Sequence, residues 1–167
     1  MIKSFDFENI KNKIFIRENI YFLATVLVTF FLDRYSKVQI IKNYSNNTFY
    51  FNDFINLDLI WNTGIGFGLL TTADNLIYNV ISSIIGIVII IIIYISLTSD
   101  KFDKIVFSFI TGGALGNFYD RLVFKGVPDF IDLHYGNFHW FTFNLADIFI
   151  SIGIIAFIIK GFFIKNN

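Results

Sequence analysis

Residues 113–149 read GALGNFYDRLVFKGVPDFIDLHYGNFHWFTFNLADIF, and the rest of the chain is best understood outward from them. The stretch holds Asp120, Arg121, Asp129, Asp132 and Asp147 in sequence otherwise apolar enough to sit in lipid. An isolated charge at the centre of a spanning helix costs about 2.5–3.5 kcal/mol even on lenient insertion scales. Charges retained at that cost, so close together, point to a site.

The surrounding composition supports a membrane setting. Of 167 residues, 55% are hydrophobic, 23 are Phe and only 16% are charged, against roughly 25% charged in soluble domains. The 13 Lys and Arg balance the 13 Asp and Glu, so no net field attracts nucleic acid or an acidic partner. With no Cys, disulfides, thiolate metal sites, a cysteine nucleophile and a lipid-modified cysteine of the chain's own are excluded. The N-terminus, MIKSFDFENIKNKIFIREN, has charges of both signs and no small-residue cleavage site, so the first apolar run is expected to stay as an anchor.

A spanning helix needs about 20 mostly apolar residues at about 1.5 Å rise each. Four segments qualify, about 14–42, 76–97, 105–124 and 143–164. The second, LIYNVISSIIGIVIIIIIYISL, is free of charge; the others carry polar residues toward one end. In NLDLIWN, Leu57, Leu59 and Trp61 alternate with Asn56, Asp58 and Asn62, the period of a half-buried strand. The expected fold is an all-α membrane protein of four transmembrane helices with a small extracytoplasmic β-sheet, about 46–70, in one domain over 1–167.

Cytoplasmic flanks carry the excess of Lys and Arg. With both termini inside, the inner segments hold Lys3, Lys11, Lys13, Arg17, Lys101, Lys104, Lys160 and Lys165, eight cations against five outside. Thr98 to Lys104 is then an inner turn. Residues 43–75 and 125–142 lie outside, Asp129 in the loop joining the last two helices. Every intramembrane polar cluster falls at the outer depth: Asp33 and Lys37, Asn117 with Asp120 and Arg121, Asn144 with Asp147. Asn144, Asp147 and Ser151 share one helical face, which must look into the bundle. Pro128 stiffens the chain just before Asp129. Two carboxylates at a half-dry site cannot both ionise easily, so one keeps a proton and serves as acid while the other acts as base toward water.

LDRYSK, NTGIGFG, GGALGNFYDR, VPDFID and FNLAD, in this order from about residue 33 to residue 153, resemble the blocks of the lipoprotein signal peptidase (signal peptidase II) family, bacterial intramembrane aspartic peptidases. The resemblance implies Asp129 and Asp147 as the catalytic pair. It implies Asn117, Asp120, Arg121 and Asn144 as a supporting shell, and Asn62 with Gly64 in an outer, substrate-contacting segment. Arg34 departs from it, the family often having Gln there, and Gly66 stands where Ala is common. The substrate implied is a lipid-modified prolipoprotein, cut on the N-terminal side of a diacylglyceryl-cysteine at the outer face of the cytoplasmic (inner) membrane. Membrane lipid is the other implied partner, and a monomer with no metal and no cofactor is expected.

Plainer readings stand beside these. Asp120 and Arg121 read as an ion pair supporting the site, Asp132 as a solvated loop charge, and Asp33 with Lys37 as an interfacial i,i+4 pair that fixes helix depth, with a place near substrate as the alternative. His134 and His139 lack a third ligand at recognised zinc spacing. Phe138, Trp140, Phe141 and Phe143 look like an interfacial aromatic belt. Gly64, Gly66 and Gly68 permit tight turns but lack the context of a phosphate loop; Gly112, Gly113 and Gly116 suit close helix packing. Ser36 and Ser151 lack an intramembrane His, which argues against a serine peptidase. A proton-coupled transporter would need polar residues at several depths along a path, and a structural subunit would leave the aspartates unexplained.

Overall fold

The computed structural model describes residues 17–45, 48–64 and 75–164. In chain order the elements are helix α1 (Arg17–Asn43), strands β1 (Phe49–Asn52) and β2 (Ile55–Asn62), helices α2 (Asn75–Thr98) and α3 (Lys101–Phe124), strands β3 (Val127–Tyr135) and β4 (Phe138–Phe143), and helix α4 (Leu145–Ile164). The start of the first expected helix, positions 46, 47 and 65–70 of the outer segment with Gly66 and Gly68, and the counted cations Lys3, Lys11, Lys13 and Lys165 lie outside the described residues.

Helix α3 is the hub, packing against α1, α2 and α4, while α1 also touches α4. Its small residues explain the close approach. A Cβ on Gly112 would fall onto the Thr29 side chain and 2.9 Å from the Val26 carbonyl; one on Gly113 would lie 2.5 Å from the Ala146 carbonyl; one on Gly116 would strike the Asp33 carboxylate. Such backbone-to-backbone packing substitutes for the hydrophobic drive that is weak between helices in lipid. α2 meets α3 along a narrow side of buried Tyr78, Ser82, Ile89 and Ser96, leaving Ile84, Ile87, Ile90 and Ile91 exposed. By length and composition α2 and the Leu145–Phe163 part of α4 could each cross a membrane. α3 starts a turn earlier than expected because Asp100 caps it, accepting from the Asp103 N–H at 3.0 Å. It ends at Lys125, in the left-handed region with φ 60°.

The sheet is larger than the small one expected. Its four strands are antiparallel in the order β1-β2-β3-β4, because residues 125–142, expected as a loop, form a hairpin. Gly136, with φ 59°, and Asn137 form its two-residue turn. Asp129 therefore sits on a strand. The alternation read in β2 also points the other way at its end: Ile60 and Trp61 are exposed and Asn62 is buried, because Asn62 finds a hydrogen-bonding partner inside.

Gly112→Ala should lower stability by about 1–3 kcal/mol, since α1 must move to admit the methyl group. Gly161→Ala, with nothing within 4 Å, should be neutral or slightly stabilising. Thermal melts of the two detergent-purified variants against wild type check this; equal melting of all three would remove the packing role.

Candidate active site

The site grows from the C-terminal half of α1. Asp33 and Lys37 are one turn apart, and both are fully buried rather than interfacial as expected. Lys37 Nζ donates to Asp33 Oδ2 at 2.8 Å, Asp120 Oδ2 at 2.8 Å and Asn117 Oδ1 at 2.7 Å. An ammonium has three N–H donors and no acceptor, and all three are used. Asp120 takes its second cation from Arg34, whose guanidinium lies 4.9 Å from the Tyr119 ring centroid. Two carboxylates and two cations thus neutralise one another in the interior. Asp120 and Arg121 do not pair with each other: neighbours on a helix point about 100° apart. Arg121 instead donates through Nη2 to the Gly64 carbonyl. Its Nη1 has no hydrogen-bond partner among the described residues, and the Tyr78 hydroxyl donates to its main-chain carbonyl at 3.1 Å.

Two arms of this network end at the start of α4. Asn117 turns its amide N–H to Asp147 Oδ1 at 2.8 Å. Asp33 Oδ1 accepts the Ala146 N–H at 3.0 Å. FNLAD itself forms a reciprocal cap, with the Asp147 N–H donating to Asn144 Oδ1 and the Asn144 N–H to Asp147 Oδ2, each at 3.1 Å. These bonds satisfy donors that a helix start leaves orphaned and fix the carboxylate's direction.

Asp129 arrives from β3, in register with Ile60 of β2. It accepts from Asn144 Nδ2 through Oδ1 at 2.6 Å and from Asn62 Nδ2 through Oδ2 at 2.9 Å. Asn62 is held in turn, its Oδ1 accepting the Gly64 N–H at 2.9 Å. Asn144 therefore joins the two carboxylates, bonded to Asp129 by its side chain and to Asp147 by its backbone. Burial, reinforced by the negative charge of Asp147, pushes the Asp129 carboxyl up to about 6 against the opposing pull of the Asn62 and Asn144 bonds and of Lys37. Beside Asp147 lies an apolar groove of about 290 Å³, lined by Phe141, Phe143, Ile148, Ser151, Ile152 and Ile155. Ser151 shares the Asp147 face as expected.

The structure thus gathers Asp33, Lys37, Asn62, Gly64, Asn117, Asp120, Arg121, Asn144, Asp129 and Asp147 into one connected set. Asp132 is the exception and a correction: it is a buried strand residue, 5% exposed, and is bonded to His139. Arg34 and Tyr78 were not singled out for the network. For Arg34 the signal was its place in the same turn as Asp33 and Lys37; for Tyr78 there was none.

Comparison with known proteins identifies the chain's relatives. The model of a family described as signal peptidase (SPase) II matches residues 25–163. A lipoprotein signal peptidase of Pelagibacter ubique (strain HTCC1062) is 47% identical over 159 residues, 93% of this chain and 96% of the relative. One from Anaplasma phagocytophilum (strain HZ) is 39% identical over 145 residues, covering 85% and 92%. A solved structure described as a bacterial membrane enzyme, determined by the in meso method at 2.3 Å, superposes with a TM-score of 0.69 at 28% identity, covering 84% of this chain and 86% of that one. The chain belongs to the signal peptidase II family.

Proposed function

We propose that the chain is an intramembrane aspartic endopeptidase that removes signal peptides from prolipoproteins, with Asp129 and Asp147 as its catalytic pair. The observation that carries the assignment is Asn144, which ties both carboxylates to one residue. Asp147 stands at the positive end of α4, where a negative charge is favoured, and serves as the base. Asp129, holding its proton to about pH 6, serves as the acid. Asp147 takes a proton from water, whose oxygen attacks the carbonyl carbon before the diacylglyceryl-cysteine, while Asp129 protonates the carbonyl oxygen. The tetrahedral intermediate then collapses as the leaving amine gains a proton and the C–N bond breaks. The reaction as written uses no metal or organic cofactor. The groove along α4 takes the substrate's acyl chains, which must lie within a few bonds of the cut amide.

The chain works as a single domain and a monomer, with all four helices spanning the cytoplasmic (inner) membrane, both termini inside and the pair near the outer face. α1 and α3 cross despite their charges because Arg34, Lys37, Asp33 and Asp120 are mutually paired in the interior. A cysteine at exposed Asn137 should react with an impermeant maleimide added to intact cells, and one at exposed Lys101 should not; the reverse labelling inverts the topology.

Asp129→Asn and Asp147→Asn should each slow single-turnover cleavage of a lipidated prolipoprotein by about 10²–10⁴-fold, and the double variant should be hardly worse, because the pair acts as a unit. Folded Asp129→Asn cleaving at the wild-type rate would sink the assignment. The pH dependence has a definite sign. The acid form of Asp129 is lost as pH rises through about 6, so kcat/KM of wild type should fall about tenfold per unit on the alkaline side; a rate still climbing above neutrality would reverse the roles of the two groups.

A further inference from the structure

Asp132 and His139 take no part in these steps, yet they link the two strands that carry the pair. β3 holds Asp129, and β4 runs into Asn144 and Asp147, so the alignment of β3 on β4 sets where the carboxylates stand relative to each other. That alignment is irregular. Leu133 faces Phe141 and His134 faces His139, which leaves Trp140 as an extra residue on β4. A bulge of this kind disrupts the ladder locally, and something other than backbone pairing must hold the register there.

Asp132 crosses the irregularity. Its ladder partner is Thr142, but its Oδ2 accepts from His139 Nδ1 on the diagonal at 2.7 Å. The carboxylate is 7% exposed. The buried His134 ring covers it, stacked on His139 with centroids 5.4 Å apart and planes 20° apart. His134 Nδ1 lies 3.9 Å from the same oxygen and has no hydrogen-bond partner among the described residues, so His139 alone holds it from this side. A hydrogen bond to an ionised carboxylate is roughly twice as strong as a neutral one. Two side-chain links therefore close the hairpin into a frame, Asn144 to Asp129 at one end and His139 to Asp132 at the other.

We propose that Asp132 and His139 are positioning residues of the peptidase: their bond pins the bulge and so holds Asp129 at its working separation from Asp147. This rests on the reading of Asp129 and Asp147 as the catalytic pair. The test compares purified full-length Asp132→Asn, His139→Phe, His139→Asn and the Asp132→Asn/His139→Phe double variant in single-turnover and steady-state cleavage of a lipidated prolipoprotein, with melting curves. Asp132→Asn and His139→Phe should each lower kcat by about 10- to 100-fold, the scale of an ångström-sized displacement, with KM unchanged. The double variant should be no worse than the weaker single one. His139→Asn, whose amide N–H stands where Nδ1–H did, should keep most of the rate. A fold that is merely weakened would not move the pH profile, whereas a slipped register should. The charged groups facing Asp129 are Asp147 and Lys37, with Asn62 and Asn144 as neutral donors, and none is changed. With Asp147 farther away, the alkaline limb should therefore shift to lower pH. Wild-type kcat and an unmoved limb in folded Asp132→Asn, or additive losses in the double variant, overturn the proposal; Asp132→Asn, being isosteric, decides it alone if His139→Phe does not fold. Cleavage by Asp129→Asn would instead strike the catalytic reading, so the two failures are told apart.

Discussion

A single ammonium group holds together the half of the helix bundle that meets the sheet. Lys37 is fully buried, and its three donors reach one carboxylate on its own helix and one carboxylate and one amide on α3. Every one of those acceptors has a second duty. Asp33 caps α4 through Ala146, Asp120 holds Arg34, and Asn117 holds Asp147. Removing one member of a buried pair leaves the other uncompensated, at a cost of about 3–5 kcal/mol. Lys37 thus converts the packing of α1, α3 and α4 into the direction of one carboxylate. Arg34, where the family often has Gln, brings this cluster to balance: two cations, Arg34 and Lys37, against Asp33 and Asp120.

The glycines on α3 are the other half of that constraint. A network linking two helices side chain to side chain needs their axes close, and Gly116 leaves room for the Asp33 carboxylate that any Cβ would strike. Gly112 and Gly113 bring α1 and α4 against the same hub from two sides. Asn117, next to Gly116, then reaches Lys37 with its oxygen and Asp147 with its nitrogen. Small residue and amide are consecutive because one admits α1 and the other spans to α4.

What the sequence disclosed was membership, and what it withheld was pairing. Four helical segments could be read from the apolar runs, and Asp33, Lys37, Asn117, Asp120, Arg121, Asp129, Asn144 and Asp147 from charge and amides in apolar surroundings, with the family blocks adding Asn62, Gly64 and the proposed roles. Asp120 and Arg121 look paired because they are adjacent, yet adjacent helical residues diverge, and their partners are Arg34 and Lys37 for one and Gly64 for the other. Those contacts depend on separations of 86, 83 and 57 residues, which no local pattern encodes. The β3–β4 hairpin reads as a loop from the sequence for a similar reason: VPDFIDLHY is buried along most of its length and lacks a clean two-residue alternation, and a strand covered on both sides shows none. Asp132 followed that error, since a charge in a loop is ordinarily solvated and a charge on a covered strand must find a partner.

The two carboxylates differ most in the kind of structure that presents them. Asp147 is the third residue of a helix, and the bonds that begin the helix are the bonds that aim it; it cannot be turned away without unmaking the cap. Asp129 sits on a strand whose neighbours are β2 on one side and the bulged β4 on the other, and its direction depends on the two amides of Asn62 and Asn144. One group is fixed by a helix terminus with its favourable dipole, the other by neutral donors in a buried pocket. Environments this different are what the proposed division into a base and an acid draws on. The proposed sharing of one proton across the pair draws on that asymmetry as well as on the pair's separation, and a capped helix abutting a strand hairpin supplies it from the backbone itself.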